Sequence, residues 1–288
     1  MSTIEINGKK IGKGQPCYVI AEIGINHNGD IEIAKELIKK AKDAECDAVK
    51  FQKRTVEIVY TKEELEKTRE NPFGNTNGDL KRGLEFSQGQ YAVINEYCKE
   101  IGIDWFASPW DEDSVDFLEQ YDVPCYKIAS ASLTDDGLLQ HIKKTGKPII
   151  MSVGMSTEAE VEHAVEVLGS ENLILLHTVS TYPAKVENVN LKAIETLNKK
   201  YPDIPIGYSG HETDEVVTLA AAVMGACVIE RHFTLDRDMW GSDQKASIEP
   251  EELSKLVKNI RTIEKAIGTG KIECIEEEIP VKEKLRRK

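Results

Sequence analysis

The residues of this chain that can do chemistry stand at the ends of short apolar runs. Tyr18-Val19-Ile20-Ala21-Glu22-Ile23 delivers a carboxylate, then passes through Gly24-Ile25-Asn26-His27-Asn28-Gly29-Asp30 into an amphipathic stretch. Later runs end on Lys50 and Gln52, on Lys127, on Ser209 and His211, and on Glu230 and His232. In a strand, alternate side chains share a face. Glu22 then shares its face with Ile20, Lys50 and Gln52 with Ala48, and Lys127 with Cys125. Ser209 and His211 align with Gly207, and Glu230 and His232 with Val228. A purely structural sheet would carry aliphatic groups at such positions. One inward lysine beside one inward glutamate is equally readable as a buried ion pair. Two lysines, two glutamates and two histidines are harder to account for, because each buried ion costs several kcal/mol unless it is compensated. An anionic ligand would balance the lysines.

His211 and His232 close two successive runs. Adjacent strands lie about 4.8 Å apart, so both imidazoles can reach one ion. Two imidazoles with open positions suit a borderline divalent ion such as Mn²⁺, Co²⁺, Fe²⁺ or Zn²⁺; the competing reading is a hydrogen-bonded core pair. Ser108, Ser130, Ser152 and Ser180 fall at or just past run ends. With Lys50 and Lys127 they can cradle a phosphate and a carboxylate. His27 lies in the first loop, near substrate or bracing the turn. His141 and His163 fall on helical stretches as surface residues, and His177 on a strand.

The elements that must position these groups repeat along the chain. Eight strand-like segments are expected at Tyr18–Ile23, Asp47–Gln52, Asp104–Ser108, Cys125–Ala129, Pro148–Val153, Leu173–Thr178, Ile204–Tyr208 and Cys227–Phe233. Amphipathic stretches follow them at Ile31–Ala44, Gln88–Ile101, Glu112–Gln120, Leu138–Lys144, Glu158–Leu168, Leu191–Lys200, Thr213–Met224 and Pro250–Ile267. Thr157 and Thr213, each followed by acids, read as helix caps. Eight βα repeats in this length predict an α/β fold, a closed (β/α)₈ TIM barrel, with its chemistry at the C-terminal ends of the strands. An open doubly wound sheet is the alternative, weakened by the lack of a Gly-x-Gly-x-x-Gly turn after the first strand. Residues 1–15 read as an N-terminal hairpin turning on Asn7-Gly8, 1–267 as the barrel with that hairpin, and 268–288 as a solvated tail or linker. The segment from Val56 to Phe86 reads as a long loop, a lid or substrate wall.

The 288 residues are 40% hydrophobic with a formal net charge of −13. No apolar run is long enough to span a membrane, and the N-terminus lacks a secretory signal. The acidity disfavours nucleic acid as a partner. The six cysteines include no Cys-x-x-Cys and read as small buried hydrophobes of a reducing compartment. The chain therefore reads as a cytoplasmic protein with no membrane partner.

Taken in order and spacing, several motifs resemble those of the sialic acid synthase (N-acetylneuraminate synthase) family. They are Ala21-Glu22-Ile23-Gly24 with Asn26-His27-Asn28-Gly29, Ala48-Val49-Lys50-Phe51-Gln52, and Lys127-Ile128-Ala129-Ser130. Tyr182-Pro183-Ala184, Tyr208-Ser209-Gly210-His211, Glu230-Arg231-His232-Phe233-Thr234 and Gly241-Ser242-Asp243 continue the series. The resemblance covers roughly residues 15 to 266. It implies a metal-dependent condensation of phosphoenolpyruvate with an N-acetylmannosamine-like aldose, giving a 3-deoxy-2-keto sugar acid and phosphate. It implies His211 and His232 as ligands of a divalent metal, Mn²⁺ first, with Mg²⁺, Co²⁺, Fe²⁺ or Zn²⁺ as alternatives. It implies phosphoenolpyruvate contacts from Lys50, Lys127, Ser108, Ser130, Ser152, Ser180 and Ser209. Glu22 would be the acid/base. Gln52, Tyr182 and Asp243 would face the sugar, with Asp243 counted beside Glu22 among the catalytic groups. Glu230 would support the metal site from behind. Many members continue into an antifreeze-like domain that completes a swapped dimer. This chain ends at Lys288, about where that domain would begin, so it reads as the barrel alone, and a homodimer stays open. A synthase acting on a phosphorylated aldose and a non-catalytic sugar-phosphate-binding barrel are the rival readings.

Overall fold

A computed structural model describes residues 3–287; Met1, Ser2 and Lys288, the outermost residues of the expected hairpin and tail segments, lie outside the described residues. A two-stranded hairpin opens the chain, β1 (Ile4–Ile6) against β2 (Lys9–Ile11). The barrel strands are β3 (Tyr18–Gly24) and β4 (Ala48–Lys53), then β7 (Asp104–Pro109), β8 (Tyr126–Ile128), β9 (Ile149–Ser152), β10 (Leu173–Thr178), β11 (Ile206–Gly210) and β12 (Val228–His232). Between β4 and β7 a small hairpin, β5 (Thr68–Asn71) with β6 (Gly74–Thr76), stands apart from the barrel. The eight barrel strands run parallel in the order β7-β4-β3-β12-β11-β10-β9-β8. The two end strands, β7 and β8, pack against each other and bring the sheet round on itself. The result is the (β/α)₈ barrel that the repeats imply.

The helices behind the sheet are α1 (Ile31–Asp43), α5 (Gln88–Ile101), α6 (Glu112–Glu119), α7 (Asp136–Lys144), α8 (Glu158–Leu168), α9 (Lys192–Lys200), α10 (Val216–Val223) and α11 (Pro250–Ala266). Each buries one apolar stripe, as α1 does with Ala34, Leu37, Ile38 and Ala41. Most of their starts follow capping chemistry, though α9 and α10 lack a side-chain cap: Asp30 accepts from Glu32 and Ile33 backbone N–H groups, and Thr157 with Glu160 forms a reciprocal box. The N-terminal hairpin covers the barrel's base. Ile4, Ile6 and Ile11 are buried, Lys9 bonds Asp47 at 2.8 Å, and Asn7 bonds Asp104 at 2.6 Å.

Three expectations shift. The segment from Val56 to Phe86 is not an open loop. It folds into α2 (Val56–Val59), α3 (Lys62–Glu66), the β5–β6 hairpin and α4 (Asn77–Leu84), held by caps at Thr61 and Thr76. The seventh strand starts at Ile206 rather than Ile204, because Pro205 has no N–H for the ladder and supplies only its carbonyl, to Leu175. The next helix starts at Val216 rather than Thr213. Asp214, not Thr213, bonds the Val216 N–H, and the Asp214 carbonyl is taken by Arg231. Residues 268–287 are exposed and carry a 3₁₀ turn (Glu276–Glu278) running into a short helix, α12 (Ile279–Leu285). Cys274 is exposed there, whereas the other five cysteines are buried. No helix among the described residues is long and apolar enough to cross a membrane.

Candidate functional site

A cavity of about 220 Å³ opens at the C-terminal mouth of the barrel, and every barrel strand or the loop just after it contributes to its wall. Glu22, Lys50, Gln52, Ser108, Lys127, Ser130, Ser152, Ser180, Tyr182, Ser209, His211 and His232 all line it. A larger depression of about 470 Å³ lies at the opposite end, beside Ile204, Ile206, Met224 and Cys227. Its lysines, Lys13 and Lys199, are exposed, and no buried charges converge on it.

The charged groups form one buried cluster. Lys50 Nζ lies 2.8 Å from Glu22 Oε2 and 3.9 Å from Glu230 Oε2, and donates to Ser108 Oγ at 3.1 Å. Lys127 Nζ lies 3.8 Å from Glu230 Oε1 and donates to Ser152 Oγ at 2.7 Å. Ser209 Oγ donates to Glu230 Oε1 at 3.1 Å. Gln52 Nε2 donates to Glu22 Oε1 at 3.1 Å, while its own oxygen accepts from Arg54. The approach of Gln52 to Glu22 needs Gly24. The β3–β4 register shifts between Glu22 and Gly24, Gly24 has φ +54°, and a Cβ there would sit 3.1 Å from both polar groups.

Burial sets the proton balance of the cluster. It pushes the Glu22 carboxyl up to about 7, against the pull of Lys50 and with a push from Glu230. It pushes Lys127 down to about 8, opposed by Glu230 and helped by Lys50. Burial also works against Glu230, but Lys127, Lys50, His232 and the Ser209 hydroxyl together outweigh it and hold this carboxyl below its ordinary value. The cluster therefore sets one ionised carboxylate and one carboxyl poised near neutrality against the two lysines. That leaves room for an incoming anion.

His211 and His232 stand with ring centroids 5.2 Å apart. His211 Nδ1 is 2.7 Å from the Val179 carbonyl. A carbonyl only accepts, so Nδ1 carries the proton and Nε2 keeps its lone pair. Burial, then the neighbouring His232, push His211 down to about 4. Burial also lowers His232, against the pull of Asp243. The Nδ1 of His232 is buried without a hydrogen-bond partner among the described residues and lies 3.9 Å from Asp243 Oδ2. The Tyr182 ring packs 4.2 Å from that of His211.

The chain has relatives among known proteins. A profile of the NeuB family matches residues 37–272. The chain belongs to the NeuB family. It is 40% identical over 282 residues to the N-acetylneuraminate-9-phosphate synthase of Homo sapiens, covering 96% of this chain and 79% of that one. It is 38% identical over 297 residues to the N,N'-diacetyllegionaminic acid synthase of Legionella pneumophila, covering 99% of this chain and 83% of that one. Among solved structures, the N-acetylneuraminic acid synthetase of Leptospira borgpetersenii, in complex with citrate, matches with a TM-score of 0.87 at 34% identity. That match covers 100% of this chain and 98% of that one. This NeuB-family protein is a sialic acid synthase-like enzyme.

Asp243 is not among the side chains lining the cavity; its Oδ2 lies 3.9 Å from His232 Nδ1 at the cavity wall, and its Oδ1 accepts from the Ser242 hydroxyl. His27 braces its turn, one of the two readings the sequence leaves open. It is buried, stacks on Phe86 at a centroid distance of 3.9 Å, and accepts the Gly29 N–H through Nδ1. Glu230 lies between the lysines in the cavity wall rather than behind the histidines. Thr178 and Trp110 also line the cavity and were not singled out by sequence. Thr178 Oγ1, Ser180 Oγ, Trp110 Nε1 and Glu230 Oε2 are buried without hydrogen-bond partners among the described residues, as ligand-facing groups would be.

Two neutral imidazoles side by side, one with an unpartnered nitrogen, fit a divalent metal as a two-histidine set with open positions. Among the described residues no group of three His, Cys, Asp or Glu side chains has metal-holding geometry.

Proposed function

We propose that this enzyme condenses phosphoenolpyruvate with an aldose of the N-acetylmannosamine class, releasing phosphate and a 3-deoxy-2-keto sugar acid. The observation that carries the reading is the buried Lys50–Lys127 pair, ringed by serine hydroxyls and set beside two neutral histidines. A phosphate and a carboxylate on one small molecule match two ammonium groups and several hydroxyls.

In this reading Lys50, Lys127, Ser108, Ser130, Ser152, Ser180 and Ser209 hold the two anionic groups and fix the enol carbon toward the aldehyde. Orientation and electrostatic stabilisation are then the main contributions of the chain. Bond formation joins the phosphoenolpyruvate methylene carbon to the aldehyde carbon, and the aldehyde oxygen takes a proton. Water adds to the former enol carbon, and the carbon–oxygen bond to phosphate breaks to leave the ketone. Glu22, poised near neutrality, is suited to move the proton lost by that water. Gln52 holds Glu22 and reaches the sugar side with Tyr182. Asp243, 3.9 Å from His232 Nδ1 and near Tyr182, stands with them on the sugar side. A divalent ion held by His211 and His232, Mn²⁺ in the first instance, would supply Lewis-acid polarisation of the aldehyde.

The test is phosphate release from phosphoenolpyruvate with a panel of aldoses and aldose phosphates, before and after chelation. Release that requires both an aldose and a divalent ion is expected. Release without any aldose, or undiminished turnover after thorough chelation, would overturn the condensation or the metal assignment respectively.

A further inference from the structure

Beside the cavity-facing side chains just after β11 and at the end of β12 lie two that face the other way. Glu212 follows His211, and Arg231 precedes His232. Both are shut away from solvent, at 0% and 1% exposure. Arg231 Nη1 lies 3.3 Å from Glu212 Oε1, and it donates to Thr218 Oγ1 at 2.8 Å and to the Asp214 carbonyl at 3.0 Å. Its Nη2 donates to the Glu212 carbonyl. The carboxylate is fully engaged in turn: Tyr208 donates to Oε2 at 2.8 Å and Thr218 to Oε1 at 2.6 Å. Glu212 folds back so tightly that a Cβ on Gly210 would stand 2.7 Å from its Oε2.

Stability alone is a weak account of this pair. Replacing a buried ion pair with apolar groups of similar volume is often neutral or stabilising. What the pair does fix is backbone. Gly210 and Arg231 are register partners on adjacent strands, and the guanidinium ties the carbonyls of Glu212 and Asp214 to β12. Each member of the pair is one residue from an imidazole, and the two rings so held lie 5.2 Å apart. No hydrogen bond among the described residues holds His232 Nδ1. The orientation of that ring depends on its backbone and its packing.

We propose that Arg231 and Glu212 are positioning residues, a clamp behind the barrel wall that sets the separation of His211 and His232 so that both can serve one divalent ion. The inference rests on the reading of those histidines as metal ligands. It makes the clamp, which touches neither substrate nor metal, a determinant of metal affinity. Groups that orient metal ligands typically change affinity about 10–100-fold when altered.

The test uses Co²⁺ alone, titrated into the metal-free full chain and followed by calorimetry and visible absorption, with melting measured before metal is added. Parent, Glu212→Gln, and the apolar double variant Glu212→Leu with Arg231→Met are compared. The parent takes up Co²⁺ with a ligand-field band that His232→Ala removes. Both clamp variants melt within a few degrees of the parent without metal. They bind Co²⁺ about 10–100-fold more weakly, with an altered band. Parental affinity and band in either folded variant would leave the pair a structural feature only and overturn the clamp. Should the double variant fail to fold, Glu212→Gln, which keeps the side chain's shape, decides alone. A parent that takes up no Co²⁺ would instead remove the metal reading itself, and the clamp with it.

Discussion

Glu22 is where binding and chemistry can be told apart. Its carboxyl is held by Lys50 and Gln52 and pushed up to about 7 chiefly by burial. As an ion-pair partner only, its loss would change affinity or stability. As the acid/base it must move a proton, a role typically contributing about 10²–10⁴-fold in rate. Glu22→Gln is therefore expected to bind phosphoenolpyruvate nearly as the parent does by calorimetry, yet to turn over at least about a hundredfold more slowly. Near-parental turnover would remove Glu22 from the mechanism. Lys127 makes the complementary case. It is buried and its ammonium is shared between Ser152 and Glu230. Lys127→Met should raise the KM for phosphoenolpyruvate well above any change in the KM for the aldose, and equal changes would place the anion elsewhere. Strand parity made these two legible, because a charged side chain on an otherwise apolar strand end stands out. It could not find Thr178. All six residues of β10 are buried, so no polar alternation marks which of them faces the cavity. Trp110 was hidden for a related reason, since an aromatic residue just past a strand is ordinarily packing.

At the scale of elements, the strands and most helices follow from their apolar periods and caps, and the misplacements have local causes. The segment from Val56 to Phe86 reads as a loop in sequence because its helices are short and rich in charge. Their order comes from caps and from tertiary contact, such as Phe73 packing edge-on to Trp240 at 6.2 Å. The turn after β3 holds a pH-dependent element. Burial, with a smaller push from Arg54, lowers His27 to about 3. In the unfolded chain it takes a proton near 6.5. Between those values the unfolded state binds more protons, so this residue makes stability fall as pH falls from 6.5 toward 3. His27→Asn should lack that contribution. Between pH 7 and pH 5, denaturant titrations should show the variant losing about 2 kcal/mol less than the parent. Parallel losses would mean that His27 is protonated in the folded protein. The comparison is made within pairs because Glu22 acts in the opposite direction. Its folded value is raised, so its contribution diminishes as pH rises from 4.5 to about 7.

The whole molecule works against its own proposed substrate. The chain carries a formal net charge of −13, while phosphoenolpyruvate is a multiply charged anion. Inside the cavity the balance is close to even, with Lys50 and Lys127 facing Glu230 and a partly ionised Glu22. The local excess of positive charge is thus small, and it is buried, where its reach into solvent is short. At low ionic strength the field met by an approaching anion is set by the acidic surface, and it repels. Salt screens that long-range field, with a Debye length falling from about 30 Å at 0.01 M to about 8 Å at 0.15 M, but screens the buried contacts much less. The kcat/KM for phosphoenolpyruvate is therefore expected to rise across that range of sodium chloride, while the kcat/KM for an uncharged aldose at saturating phosphoenolpyruvate stays flat. A fall for phosphoenolpyruvate would show that the lysines project an attractive field through the cavity mouth and that the surface charge does not govern capture. A parallel rise for both substrates would point to a salt effect on the protein itself. An aldose phosphate offers an internal control. If the enzyme uses one, its kcat/KM should rise with salt as that of phosphoenolpyruvate does, because both anions meet the field of the same net-acidic molecule.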